Sequence, residues 1–225
     1  MRLFFITFCC FISLAGAAQS SYQFGILPAI NLNKSFANNW KINLKTESRQ
    51  ILKEGLFSEK NMFQYKYTLT DIAVVASKKT GLNTALAGGY MLRIRDEQFI
   101  HRTIQQFTMV SNYSGFRLAH RFSSDQTFEE NEAVAVRLRY RITSEFPLSG
   151  QSVDPKELYL KINHEYVNAV QDTNYDLEIR LIPLLGYTFS DTNKLESGLD
   201  YRLNSFLGGN PRSRFWITLN WFISL

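Results

Sequence analysis

The sequence has 225 residues, with 25 basic and 20 acidic side chains and a formal net charge of +5 at pH 7. Its 12 glycines and five prolines exclude collagen-like and low-complexity chains, and no basic block indicates nucleic-acid binding. After residue 20 no run of about 18 apolar residues is free of charge, which excludes a transmembrane helix there. A transmembrane β-barrel remains open, because its alternating faces average to a neutral hydropathy, here −0.18.

The first residues predict a secretory signal peptide that spans 1–18. Arg2 supplies the positive charge, residues 3–14 form an apolar run, and small residues follow as a cleavage site requires. We expect cleavage after Ala17 or Ala18, because about 12 apolar residues are too few to span a bilayer.

Both cysteines of the chain, Cys9 and Cys10, lie inside this predicted signal. The mature chain 19–225, which we expect to form a single domain, therefore has no disulfide, thiolate metal site or cysteine nucleophile. No histidine pair has a metal-ligand spacing either. We expect no metal and no cofactor.

The mature chain alternates apolar and polar residues with a period of two, which predicts strands rather than helices. Eleven segments show this pattern, in chain order: 22–33, 39–50, 62–76, 83–94, 100–112, 115–123, 132–146, 156–168, 175–189, 194–205 and 213–225.

These segments predict an all-β fold, an antiparallel transmembrane β-barrel of the bacterial outer membrane. A soluble two-layer sheet would also alternate. The barrel is favoured because the segments run about 10 to 15 residues, against about 5 to 6 in soluble sheets. Aromatic residues near the segment ends also suit interface girdles.

The number of strands is predicted from parity. Bacterial single-chain barrels usually have an even count, so we expect 12 strands, with 10 as the alternative. Pro28 weakens the first segment, and Pro183 predicts a bulge in the ninth. Shorter and longer connections alternate, with longer ones expected near 51–61, 93–102, 123–132, 168–175 and 204–213, and with one further long connection at 147–155 among the shorter set. This asymmetry places the C-terminus on the periplasmic side.

The polar faces of the strands must point into the lumen, because a Lys or Arg facing lipid at mid-bilayer costs about 2–4 kcal/mol. The lumen-lining candidates are Lys45, Glu47, Arg49, Arg117, Arg121, Arg137, Arg139, Arg141, Glu165, Glu178, Arg180, Glu196, Asp200 and Arg202. Two interpretations stay open: a lumen plugged by ion pairs, or a basic pore that favours anions. In a conducting lumen, Arg139→Glu is predicted to alter ion selectivity.

The last strand has the clearest apolar face. Its lipid-facing residues are predicted to be Phe215, Ile217, Leu219, Trp221, Ile223 and Leu225. The expected partners are outer-membrane lipid and the barrel-insertion machinery, which would recognise this C-terminal strand. A small anionic solute is a further candidate, and nucleic acid is not.

An enzymatic alternative is an outer-membrane lipid hydrolase. His120 precedes Ser123, Ser124 and Asp125, the residue types of a nucleophile, a base and an orienting acid. The spacing fits poorly, because residues three apart on a strand point to opposite faces. We expect no enzyme, and a soluble periplasmic β-sheet binding protein is the remaining alternative.

From about residue 93 onward the order of motifs resembles the bacterial family named domain of unknown function 2490, whose members are thought to be outer-membrane barrels. The similar elements are His101-Arg102, Gln105-Gln106, His120-Arg121, Asp125-Gln126, Arg137 to Arg141, Pro147-Leu148, Glu165 to Asn168, Arg180, Gly186-Tyr187, Gly198 and Tyr201. Trp40 to Arg49 is similar to the family's early strand. Asp125 departs from the more common glutamate. The resemblance implies the barrel and its location, and no reaction.

Overall fold

The computed structural model describes residues 20–225, so the predicted signal peptide at 1–18 lies outside the described residues. The described chain forms eleven strands: β1 (Ser21–Ser35), β2 (Trp40–Leu56), β3 (Lys66–Lys79), β4 (Thr84–Arg95), β5 (Gln98–Tyr113), β6 (Phe116–Phe128), β7 (Ala135–Pro147), β8 (Leu158–Gln171), β9 (Asn174–Ser190), β10 (Asn193–Asn204) and β11 (Arg212–Ser224). Between residues 20 and 225, no helix has the length and apolarity needed to cross a membrane.

The strands close into one barrel in which each strand pairs with its sequence neighbours. All consecutive pairs are antiparallel, whereas β1 and β11 close the barrel as a parallel pair, from Ser21 opposite Arg212 to Asn33 opposite Ser224. Every predicted segment coincides with a strand. The prediction of 12 strands, and its alternative of 10, is wrong because it assumed an antiparallel closure with an even count.

We expect Pro28 and Pro183 to disturb their strands, but neither of them does. Pro28 lies within the continuous strand β1, opposite Leu219 of β11. The bulge predicted at Pro183 is absent, because Pro183 lies in unbroken register with Ile162 of β8. Gly198 of β10 allows this close packing, since a Cβ there would lie 2.1 Å from the Pro183 carbonyl oxygen.

The two rims of the barrel carry connections of mixed length. We call the rim where β1 begins the N-terminal rim, with connections 57–65, 96–97, 129–134, 172–173 and 205–211. The C-terminal rim, where β11 ends, has connections 36–39, 80–83, 114–115, 148–157 and 191–192.

The predicted alternation of short and long connections is therefore wrong in two places, where tight turns at 96–97 and 172–173 replace expected long loops. The longest connection, 148–157, lies at the C-terminal rim, where a long connection is expected at 147–155. Asp96 and Glu97 both have positive φ, 48° and 64°, as a two-residue type I′ hairpin requires. Two residues thus suffice where the sequence suggested ten.

The inside of the barrel is partly filled by packed apolar side chains. Leu27, Ile51 and Trp216 form a buried cluster, and Trp216 is only 1% exposed. Gly25 lies directly opposite Trp216 across the parallel pair, and a Cβ there would lie 2.7 Å from the indole ring. The missing side chain at Gly25 thus makes room for the indole.

Candidate functional site: the barrel interior

The barrel interior encloses a cavity of about 1190 Å³, and most of the charged side chains of the strands face it. Thirteen of the fourteen charged candidates line the cavity, namely Lys45, Glu47, Arg49, Arg117, Arg121, Arg137, Arg139, Arg141, Glu178, Arg180, Glu196, Asp200 and Arg202. The remaining one, Glu165, is 2% exposed and lies beneath inward-facing arginines. The alternation of the strands therefore brings all fourteen to the inner face.

Asp125 of β6 is the centre of the first ion-pair cluster, and its side chain is fully buried. Its carboxylate accepts a 2.7 Å hydrogen bond from Arg137 Nε and lies 3.1 Å from Arg139 Nε, both on β7. Arg102 Nε of β5 lies 3.5 Å away on the other side. One carboxylate thus neutralises part of the charge of three arginines from the two neighbouring strands.

Glu165 of β8 is the centre of the second cluster. Its Oε2 atom lies 3.1 Å from Arg141 on β7 and 3.1 Å from Arg180 on β9. Arg139 lies 3.9 Å from the other oxygen and so bridges the two clusters. The register explains this geometry, because Glu165 is directly opposite both Arg141 and Arg180.

This cross-strand row extends well beyond Glu165. Directly paired inward positions run from β6 to β11 in the order Arg121, Arg141, Glu165, Arg180, Arg202 and Arg214. Glu178 and Asp200 flank the row and pair with Arg180 and Arg202 on their own strands. The row carries more positive than negative charge, and its β6 end has no carboxylate.

A third cluster surrounds Glu196 of β10, which is 1% exposed. Its carboxylate accepts hydrogen bonds from the Tyr159 hydroxyl at 2.8 Å and from Lys161 Nζ at 2.9 Å. Lys194 Nζ lies 3.7 Å away on the same strand. The cluster joins β8 and β10 across β9.

Smaller pairs form either between same-face neighbours of one strand or between directly opposite positions of two strands. On β2, Glu47 accepts a hydrogen bond from Lys45 and lies 3.5 Å from Arg49. Between β3 and β4, Asp71 and Arg93 form a bidentate pair with both N–O distances at 2.7 Å. Such two-pronged pairs hold both side chains in one geometry.

The cavity wall formed by β3, β4 and β5 near the C-terminal rim has a different character. Its inward side chains are small or uncharged: Ala73, Val75, Ser77, Ala85, Ala87, Gln106, Thr108 and Val110. We call this set the neutral wall, and the inward charged residues of β6 to β10 the charged wall. Free space lies between the two walls, because the neutral wall has few side chains long enough to fill it.

The outer surface has the opposite composition. On β11 the predicted apolar face points away from the interior, with Ile217, Leu219 and Trp221 each 44–46% exposed. Phe215, Ile223 and Leu225 share that parity and the outward side. The residues between them, among them Thr218, Asn220 and Phe222, line the cavity.

The residues proposed for hydrolysis do not come together. His120 lies on the outer face, with its Nδ1 atom 2.9 Å from the Tyr140 hydroxyl. Ser124 shares that parity and accepts a hydrogen bond from Gln126, whereas Ser123 and Asp125 are buried on the inner side. The strand therefore separates His120 from the acid that would have to orient it.

Several interior charges were not among the sequence candidates: Asp71, Arg93, Arg102, Lys161, Lys194 and Arg214. Arg102 was hidden because its inward neighbours Ile100 and Ile104 are apolar, so the face does not read as polar. Lys161 and Lys194 alternate with apolar residues, so the pattern that identifies the other candidates could have identified them as well.

The fold and interior together define a closed β-barrel with an apolar outer face and an ion-paired, basic interior. A family comparison matches residues 24–216 to the family described as "Protein of unknown function (DUF2490)". The chain belongs to this family, as the order of motifs in the sequence indicated. No curated protein and no solved structure matches the chain.

Proposed function

We propose that this chain is an outer-membrane β-barrel whose interior conducts small solutes and favours anions. One observation carries the proposal: a cavity of about 1190 Å³ lies inside a barrel whose charges face inward and whose apolar side chains face outward. A soluble barrel has the reverse arrangement, because water solvates charged side chains and excludes apolar ones. Lipid outside and water inside satisfy both faces.

The distribution of aromatic side chains supports a membrane location. Outward aromatic residues near the N-terminal rim include Phe24, Tyr67, Phe99, Phe128 and Tyr175. Those near the C-terminal rim include Trp40, Tyr113, Phe189 and Trp221. Two such belts match the interfacial girdles of outer-membrane barrels. Lipid and the barrel-insertion machinery, acting on β11, are the partners that this location implies.

The anion preference follows from the charges around the cavity. The basic lining residues are Lys41, Lys45, Arg49, Arg93, Arg102, Arg117, Arg121, Arg137, Arg139, Arg141, Lys161, Arg180, Lys194, Arg202 and Arg214. The acidic ones are Glu47, Asp71, Glu145, Asp176, Glu178, Asp191, Glu196 and Asp200, with Asp125 and Glu165 buried beside them. The basic excess attracts anions, and low-dielectric walls strengthen that attraction.

The test is conductance of the refolded mature chain in a planar bilayer under a tenfold KCl gradient. We expect discrete current steps and a reversal potential whose sign indicates selectivity for chloride over potassium. Silence from protein that migrates as a folded barrel on an unheated gel would overturn the pore and leave a structural barrel. Water-soluble monomer without detergent would overturn the membrane location.

A charge reversal sharpens this test. Arg139 is held between Asp125 and Glu165, so Arg121, which has no such partner, is the better position. Arg121→Glu should shift the reversal potential toward zero, because it removes a free cation from the cavity wall. Lys60→Glu, in the exposed connection 57–65, makes the same change in net charge far from the cavity and should leave the potential unchanged.

A further inference from the structure

Arg121 of β6 differs from the other arginines of the charged wall. Among residues 20–225 no carboxylate oxygen lies within 4.0 Å of its guanidinium, and its buried Nε atom has no hydrogen-bond partner. Arg137, Arg139, Arg141, Arg180 and Arg202, by contrast, all form ion pairs. Arg121 therefore lines the cavity without an ion-pair partner among these residues.

The register explains why Arg121 has no partner. Directly opposite it are Thr108 on β5 and Arg141 on β7, a neutral and a basic residue. Its same-face neighbours on β6 are Ala119 and Ser123, which are small. The directly neighbouring positions therefore provide space beside the guanidinium and no carboxylate within ion-pair distance.

Arg121 and Arg141 each carry a buried Nε–H group without a hydrogen-bond partner. Residues directly opposite each other in an antiparallel pair have Cβ atoms about 4.5–5.5 Å apart, so the two guanidiniums can reach one small ligand. Arg141 donates a 3.1 Å hydrogen bond from Nη2 to Glu165, whereas its buried Nε atom has no hydrogen-bond partner. Neither Nε–H group therefore has an acceptor among residues 20–225.

This arrangement costs stability unless a ligand compensates it. A buried cation without a partner is unfavourable, and a like charge directly opposite adds repulsion. Residues that break the stabilising pattern of their surroundings are expected at functional positions. The pattern that Arg121 breaks is the pairing of inward arginines with acids, because every neighbouring arginine on β7 and β9 has a carboxylate as its ion-pair partner.

We propose that Arg121 and Arg141 form a binding site for the dianionic phosphate group of a small solute inside the barrel. Guanidinium groups bind phosphate through paired N–H donors, which suits two arginines facing one space. A dianion fits better than a monoanion, because Glu165 is shared among Arg139, Arg141 and Arg180 and leaves this end of the row with excess positive charge. The inference rests on the proposed function in one respect, the access of solute from water to the interior.

The test is calorimetric titration of inorganic phosphate into the folded mature barrel in detergent, in a dilute HEPES buffer. We expect saturable binding with one site per barrel and at least tenfold weaker binding of acetate. Arg121→Gln should weaken phosphate binding at least tenfold. Arg117→Gln is the matched control, because Arg117 is exposed near the C-terminal rim beside Glu145. The phosphate affinity of this variant should stay within twofold of that of the unchanged chain.

A stability measurement separates binding from a structural role. Arg121→Gln removes a repulsive pair, so its urea midpoint should equal or exceed that of the unchanged chain while its phosphate affinity falls. A lower midpoint with unchanged affinity would overturn the site, as would absence of phosphate binding or equal binding of acetate. Phosphate binding by a barrel that is silent in the bilayer would overturn only the pore. Anion conductance without phosphate binding would overturn only the site.

Discussion

The two walls of the interior differ in what their side chains do. On the charged wall, Asp125 and Glu165 are enclosed by arginines from neighbouring strands. On the neutral wall, residues such as Ala73, Ala85 and Ala87 leave space beside them. Most of the interior charge therefore holds strands together, whereas the uncharged side leaves cavity space unfilled. Arg121 lies where the two walls meet.

The largest expected effect comes from removing a central carboxylate of the charged wall. Asp125→Asn leaves Arg102, Arg137 and Arg139 without their shared counter-charge, and breaking such a buried pair costs about 3–5 kcal/mol. This decrease in the free energy of unfolding is measured by urea unfolding in detergent, with disappearance of the folded band on an unheated gel as the readout.

The matched control for Asp125→Asn is Glu145→Gln, the same chemical change at another inward acid. Glu145 faces Arg117 at 3.7 Å, and Arg117 is 53% exposed, so the pair should contribute less than about 1 kcal/mol. Equal destabilisation by both variants would contradict the view that the charged wall carries the stability.

Single-channel conductance should depend on the size of the side chains on the neutral wall. Ala87→Phe places a large ring in the cavity space beside the neutral wall. It should reduce single-channel conductance to less than half of its original value. Ala76→Phe makes the same change on the outer side of β3, where it should have no effect on conductance. A path along the charged wall would instead leave Ala87→Phe conducting normally.

A smaller effect follows from making the neutral wall resemble the charged one. Thr108→Asp places a carboxylate directly opposite Arg121, and an opposite-charge cross-strand pair contributes about 0.2–1 kcal/mol. The urea midpoint should rise and the anion preference should fall. Thr108→Asn keeps the size without the charge and should change neither quantity, so a similar shift in both variants would argue against charge as the cause.

The faces of the strands were predictable from the sequence, because alternation alone decides which side a residue occupies. Pairs within one strand, such as Glu178 with Arg180 and Asp200 with Arg202, follow from the same spacing. The partners of Asp125 and the isolation of Arg121 did not follow, because they depend on the register between strands. Register is set by turns and by packing that a local pattern does not encode.

The strand count shows the same limit. The eleven segments are visible one by one in the sequence, yet the general preference of barrels for even numbers predicts a different total. The parallel closure of β1 against β11 brings together residues about 190 positions apart, Phe24 with Phe215 for example. A contact of that range has no signature in the alternation of either strand.

The central claim, lipid outside and water inside, is tested most directly by thiol labelling in intact outer membranes. The chain has no cysteine between residues 20 and 225, so each introduced cysteine is unique. Neighbouring pairs give internal controls: Ala87 and Asn220 line the cavity, while Leu86 and Leu219 face outward. A membrane-impermeant maleimide should label cysteines at 87 and 220, spare those at 86 and 219, and react with all four after denaturation. Labelling of the outward positions in the native state, or protection of both inward ones, would contradict the account.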